Sequence, residues 1–204
     1  GNNPFATVAE TLWCLGGRND IEFLGRYLPR APEFSDDGKT WRGGYGPRLR
    51  NWKGVDQLEE CYQILKENPD SRRAVMIIFD PAQDFTNSKD IPCNNWLHFL
   101  IRDGKLNLTV GVRSNDIIWG FSGINAFLWS VMMQMMANWL GVEVGVMAYT
   151  ASSFHLYDYH YEMAEKILAR TKGKTLYDFG FISPEFPGGF EDFNAQMKNF
   201  FSTE

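Results

Sequence analysis

Cysteine is scarce in this chain and poorly spaced for cross-linking. The 204 residues hold three, Cys14, Cys61 and Cys93, an odd and scattered set that makes no disulfide framework. No CxxC pair offers two thiolates to zinc. Bridges are not needed at this length, which supports a full hydrophobic core, and free thiols suit a reducing cytoplasm. Histidine is equally rare, at three. His155 and His160 stand five apart, off a common helix face, and no third ligand is obvious, so no metal site is expected. Positive charge is not in excess either: 20 Lys and Arg against 25 Asp and Glu leave a net charge of −5. That balance disfavours a bulk nucleic-acid binder, which presents a basic face.

Other signals are missing as well. Residues 1–20 show no basic-then-apolar leader. The chain starts at Gly1 rather than Met, so an absent or trimmed N-terminal segment is expected. No repeat, low-complexity tract or linker divides the sequence. At roughly 150 residues per domain the expectation is one domain, 1–204. The run from Ile117 to Leu140 is apolar for the length of a membrane span. Ser122, Asn125, Gln134 and Asn138 interrupt it and no Lys/Arg cluster flanks it, so a buried core helix is expected and no membrane role.

What is present is a core-forming sequence, 44% hydrophobic and 15% aromatic. Phe5, Val8, Leu12 and Leu15 predict one face of a helix over 5–15, stopped by Gly16-Gly17. Asn19 and Glu22 form a capping pair for a short helix to Tyr27. Arg30–Gly46 reads as loop. Val55–Glu67 is a third helix, with Leu58, Cys61, Tyr62 and Leu65 inward. The period then changes: Ala74–Phe79 is a strand, and Trp96–Arg102 and Lys105–Arg113 flank the hairpin signal Asp103-Gly104. A long helix over Ile124–Leu140 closes at Gly141. A strand follows over Val142–Ser152, then an amphipathic helix over Tyr157–Arg170 and an irregular segment over Ser183–Glu191. This order predicts an α+β fold with one mixed or antiparallel sheet packed on helices.

Cys93 follows Pro92 at a loop-to-strand junction. A free cysteine there is either an inert core residue or a nucleophile, which requires nearby positive charge to lower its pKa. Arg113 ends the strand that pairs with the one following Cys93, so the hairpin delivers its guanidinium to the same edge. Arg72-Arg73 lie between a helix stop and a strand start, either as a solvated loop or as a phosphate fork. Glu10 sits mid-helix, where a carboxylate is costly unless paired or functional. Asp116 follows Arg113 by three residues and is either a turn residue or a ligand group.

Taken in order, these pieces resemble the thymidylate synthase family. The matching motifs run from Glu10 almost to Glu162. They are Glu10-Thr-Leu-Trp-Cys-Leu-Gly-Gly-Arg-Asn19, Gly44-Tyr45-Gly46, Asn68-Pro-Asp-Ser-Arg-Arg73, Pro92-Cys93, Arg113-Ser114-Asn115-Asp116 with Gly120, and His155-Leu156-Tyr157. The resemblance implies the family fold and a homodimer across a sheet face, with Arg72 and Arg73 reaching the partner's nucleotide phosphate. It implies 5,10-methylenetetrahydrofolate as co-substrate, a pyrimidine nucleotide monophosphate as substrate, and Cys93 as the nucleophile adding to C6 of the ring. Glu10, Tyr45, Asn94 and Asp116 join Cys93 as catalytic candidates. Arg113, Ser114, Asn125, His155 and Tyr157 would hold the nucleotide, and Asp116 and Trp41 the folate.

The sequence departs from the family at named places. Asn94 stands where the family usually carries His after its nucleophile. Nothing upstream of Glu10 is basic, and the apolar closing tail is not recognisable. Family spacing from Gly120 lands on Ile124, and one inserted residue moves the ring-reading position to Asn125. An amide there suits uracil, and a carboxylate would suit cytosine. The resemblance therefore implies conversion of dUMP to dTMP. The alternative is 5-hydroxymethylation of dUMP or dCMP, as in the phage deoxycytidylate hydroxymethylases, whose motifs these also resemble. A thiol hydrolase and a catalytically silent nucleotide-binding homologue are the competing classes.

Overall fold

The computed structural model describes residues 3–180 and 186–203. Helix α1 covers Pro4–Leu15. Its Asn3 cap accepts from the Phe5 and Ala6 N–H groups, and Pro4 sits at the first helical position, where no N–H is required. The helix packs through Ala6, Ala9, Trp13, Cys14 and Leu15. Phe5 and Val8 instead face outward, at 77% and 47% exposure, correcting the predicted inner face. Two alanines on the buried stripe let the helix sit close to its neighbours, and the bulkier pair was left outside.

Helix α2 is a single turn, Ile21–Leu24, capped by Asp20 rather than Asn19. The predicted loop 30–46 contains a 3-10 turn, Ala31–Phe34, and its end opens helix α3, Tyr45–Arg50. Helix α4, Gln57–Glu67, is capped by Asp56 and buries Leu58, Cys61, Tyr62 and Leu65 as expected. Strand β1 is Val75–Ile77. Helix α5, Pro81–Asp84, is one turn capped by Asp80.

Strands β2, Asn94–Arg102, and β3, Lys105–Val112, form the expected antiparallel hairpin. Strand β4 is the short Asn115–Asp116 segment. The long apolar run then splits. Ile117–Asn125 winds as a π-helix, and Ala126–Leu140 continues as α6. Strand β5, Glu143–Ala151, pairs parallel with β3. Strand β6, Phe154–His155, pairs parallel with β4. The predicted last helix is a 3-10 turn, Asp158–His160, followed by α7, Tyr161–Thr171. Of the irregular segment predicted for 183–191, positions 186–189 hold no helix and positions 183–185 lie outside the described residues. Helix α8, Phe190–Ser202, begins within its last two residues and was not predicted.

The main sheet runs β1-β2-β3-β5, mixed in direction. Its inner face carries Met76, Leu97, Phe99, Leu108 and Val110, packed on Leu128, Trp129, Met132 and Met136 of α6. This is the predicted α+β arrangement. The opposite face leaves Val75, Ile77, Trp96 and Val146 exposed. None of the helices is long and apolar enough, among the described residues, to cross a membrane.

Candidate active site

A cavity of about 570 Å³ opens where α1, the 41–45 segment, the start of β2 and the π-helix converge. A β-bulge lies just beyond its lining, where β2 shifts register between Asn94 and Trp96. Such bulges re-aim side chains beside functional sites. Cys93 lines the cavity at the residue before that irregularity. Arg113, at the end of β3, donates through Nε to the Pro92 carbonyl at 2.9 Å and through Nη2 to the Ile91 carbonyl at 2.9 Å. The same Nη2 reaches Cys93 Sγ at 3.6 Å. The hairpin thus brings Arg113 to the thiol as its strand order predicts. The thiol pKa is nevertheless raised: burial dominates, the Arg113 charge pulls it back and Asp90 pushes it up. The expected lowering is not seen, because partial burial outweighs an arginine that is itself exposed.

Glu10, carried on α1, lines the same cavity. Burial, with the nearby Asp90 charge, raises its carboxyl from 4.5 to about 7. Asp90 lines the cavity too, and its own proton affinity is raised chiefly by burial. Sequence reasoning missed Asp90, since a lone aspartate in a Ser-Lys-Asp loop carries no pattern.

Behind the cavity wall runs a chain of amides and hydroxyls. Asn94 is buried; its Nδ2 donates to the Tyr45 hydroxyl at 2.6 Å. Its Oδ1 accepts from Trp129 Nε1 at 3.0 Å and from the Tyr149 hydroxyl at 3.2 Å. Asn115 Nδ2 donates to Tyr149 at 2.5 Å, and Asn125 Nδ2 donates to Asn115 Oδ1 at 3.3 Å. Asn94 is therefore not on the wall but orients Tyr45, which is, and Tyr149 behind it. Burial holds the Tyr45 hydroxyl far above its usual pKa and pushes the Tyr149 hydroxyl up as well, keeping both neutral.

The π-helix explains the register. Its i→i+5 bonds take up one residue more per turn than an α-helix. Asn125 is accordingly buried on the wall, hydrogen-bonded to Asn115. Gly120 is the close approach in this turn: a Cβ there would stand 2.0 Å from Asn115 Oδ1. Asp116 caps the π-helix through Oδ2, which accepts from the Trp119 N–H at 2.5 Å. Its buried Oδ1 has no hydrogen-bond partner among the described residues.

Ser114, His155, Tyr157 and Trp41 also line the cavity. The Trp41 indole is fixed by its N–H to the Ala31 carbonyl at 2.7 Å, and His155 Nδ1 lies 3.1 Å from the Ser153 hydroxyl. Tyr157 stacks on Tyr159 with ring centres 5.1 Å apart. Arg72 and Arg73 are exposed between α4 and β1 and do not line the cavity. No group of three metal-ligating side chains is found among the described residues.

A family model described as thymidylate synthase matches residues 4–183. The chain belongs to the thymidylate synthase family. It is 44% identical over 179 residues to a deoxyuridylate hydroxymethyltransferase of Bacillus phage SP01, covering 81% of this chain and 47% of that protein. An archaeal relative from Methanosarcina mazei, named provisionally as a thymidylate synthase, is 41% identical over 169 residues, 81% of this chain and 74% of that one. The chain thus spans about half the length of its phage relatives. The crystal structure of thymidylate synthase from T4 phage superposes with a TM-score of 0.71 at 22% identity, covering 97% of this chain and 73% of the other. That likeness establishes the thymidylate synthase-like fold.

Proposed function

We propose that this chain transfers a one-carbon unit to C5 of deoxyuridine monophosphate through a covalent Cys93–C6 adduct, with hydroxymethylation as the outcome. The observation that carries the reading is the grouping of Cys93, Glu10 and Asn125 on one cavity with Arg113 at 3.6 Å from the thiol. C5 of a pyrimidine is a poor nucleophile. Addition of sulfur at C6 moves electrons to the C4 oxygen and makes C5 carbanion-like. Glu10, holding its proton to about pH 7, is suited to support that oxygen as an acid. The Asn125 amide can accept from uracil N3–H and donate to O4. Arg113 and Ser114 would meet the phosphate, and His155 and Tyr157 the sugar.

The family uses 5,10-methylenetetrahydrofolate, which supplies the carbon at the formaldehyde level. The cavity fits such a ligand: Trp41 offers an aromatic wall, and the orphaned Asp116 Oδ1 is an acceptor awaiting a ring N–H. Arg72 and Arg73, exposed and outside this cavity, suit a second copy's phosphate, and the apolar outer sheet face suits a homodimer interface. Methylation to dTMP is the second reading, favoured by the archaeal relative.

Mass spectrometry of the products from dUMP, dCMP and their ribose forms with methylenetetrahydrofolate tests all of this together. The expected product is 5-hydroxymethyl-dUMP, with dUMP preferred to dCMP. A clear dCMP preference removes Asn125 as the uracil reader, and no product from any of the four removes the one-carbon reading.

A further inference from the structure

Asp90 and Cys93 are carried on one short piece of chain. Arg113 pins that piece through the Ile91 and Pro92 carbonyls. Across the cavity, α1 presents Glu10. Asp90 Oδ2 accepts from the Gly43 N–H at 3.0 Å. The backbone at Gly43 can come this close only because it has no side chain; a Cβ there would stand 3.0 Å from both carboxyl oxygens. Oδ1 accepts no hydrogen bond, and no cation pairs with Asp90, among the described residues. A partly buried carboxyl with one uncommitted oxygen beside a cavity is a poor structural device. It is a good place for a base.

We propose that Asp90 is the general base that activates water for attack on the one-carbon unit, with Glu10 as the neighbouring acid, and that this pair directs the reaction to a hydroxymethyl product. The proposal rests on the one-carbon reading above. Once the folate carrier has left, C5 bears an exocyclic methylene conjugated with the C4 carbonyl. Water forms a C–O bond to that methylene, the π electrons move to O4, and the water proton passes to Asp90 Oδ1. The enolate then re-forms C5=C6 while the C6–S bond breaks, returning Cys93 as thiolate. The carbon stays at the formaldehyde level, so no reductant enters. The methyl outcome would need a hydride from tetrahydrofolate instead.

The division of labour follows from the surroundings. Asp36 and Asp84 raise the proton affinity of Asp90, while the Gly43 N–H and Arg48 lower it. Glu10 has no such lowering partner and feels burial and Asp90 alone. Cys14 faces Glu10 from its own helix, and Cys93, Tyr45 and Arg113 are further titratable and charged groups around the pair among the described residues. Glu10 thus holds its proton to about pH 7, while the Gly43 N–H and the Arg48 charge favour the ionised form of Asp90 against the burial that raises it.

The test is Asp90→Asn in the full-length protein, which keeps an oxygen for Gly43 and loses the base. In a single turnover, with enzyme in excess over C5-tritiated dUMP and with methylenetetrahydrofolate present, first-cycle tritium release should stay within about threefold of wild type, while hydroxymethyl product forms about 10²–10⁴-fold more slowly. The Cys93-bound adduct should then accumulate in mass spectra of the denatured protein. Tritium release by the wild type reports the one-carbon reading separately; its absence removes that reading and this inference with it. Undiminished hydroxymethyl product from Asp90→Asn overturns the role of Asp90 alone; purely methyl product from the wild type overturns it together with the hydroxymethyl outcome, leaving the one-carbon transfer standing. Asp90→Ser serves the same purpose if the asparagine variant fails to fold. Without substrate, carbon-13 NMR of the carboxyls should show the Glu10 midpoint falling toward 4.5 in Asp90→Asn; an unmoved midpoint overturns the pairing.

Discussion

Asp84 and Glu10 are both carboxyls held largely away from water, and the protein treats them in opposite ways. Around Asp84, Arg48 closes a bidentate fork at 2.7 and 2.8 Å, Arg42 adds a contact at 3.2 Å, and the Asp80 N–H donates at 2.8 Å. Burial alone would raise the Asp84 pKa, but these donors outweigh it and hold it below the ordinary value. Around Glu10 no arginine opposes burial among the described residues, and the charge that acts on it is another acid, Asp90, so burial drives its pKa up to about 7. The first arrangement satisfies charge and fixes α3 to α5. The second withholds compensation, which stores proton affinity near neutrality where a one-carbon transfer can use it. The contrast separates structural from chemical burial in a single chain.

The hardest way to break the chemical region is to remove its sulfur. Cys93→Ser should cut tritium release from C5-labelled dUMP by at least about 10⁴-fold with an unchanged melting profile; retained release would take Cys93 out of the nucleophile role. The structural region should fail differently. Asp84→Asn leaves the 1%-exposed Arg48 without a counter-charge and should cost about 3–5 kcal/mol in urea unfolding. A loss below about 1 kcal/mol would mean that the fork behaves as a surface pair.

The third test uses pH. Because the folded Glu10 pKa lies above its unfolded value, its contribution to stability is complete below pH 4.5 and is lost as pH rises toward about 7. Glu10→Gln should abolish that decline, gaining about 3 kcal/mol on wild type between pH 4.5 and 8, while lowering turnover by about 10²–10⁴-fold. Parallel stability curves for the two proteins would refute the raised pKa. Asp84 carries the opposite slope: its depressed pKa stabilises above the unfolded value of 3.8 and loses that support as the solution is acidified. The smallest effect is expected at the cavity rim. Gly120→Ala places a methyl against Asn115 Oδ1 and should cost about 1–3 kcal/mol through overpacking, read chiefly as a raised KM for dUMP. An unchanged KM would show that the Asn115–Asn125 bond does not hold the reading amide.

The hairpin, α4 and β5 were legible in the sequence because their signals are local: Asp103-Gly104 between strands, Leu58 and Leu65 on one helix face. Helix α3 was not, since Gly44 and Gly46 end the stretch that reads as loop and Pro47 follows them. Yet proline in a first turn forfeits no internal bond, because those N–H groups have no helical partner. The outward Phe5 and Val8 misled because alanines on the opposite side of α1 carry little hydrophobic signal while allowing tighter packing. Of the cavity, Cys93, Glu10, Asp116 and Asn125 could be named because the family motifs number them. Asp90, Tyr149 and the Arg48–Asp84 fork could not, since each gains meaning only from neighbours 30 or more positions distant, such as Asn94–Tyr149 with a separation of 55 and Arg48–Asp84 with one of 36.

The wide turn at 117–125 has an evolutionary corollary. It adds one residue between Gly120 and Asn125 relative to an α-turn, so losing one codon there would close the coil to α spacing and leave the amide in place, four residues after the glycine. Under the proposed reading, exchanging the amide at 125 changes which base is met. This pocket is therefore tolerant of a shortened turn and sensitive to a changed side chain.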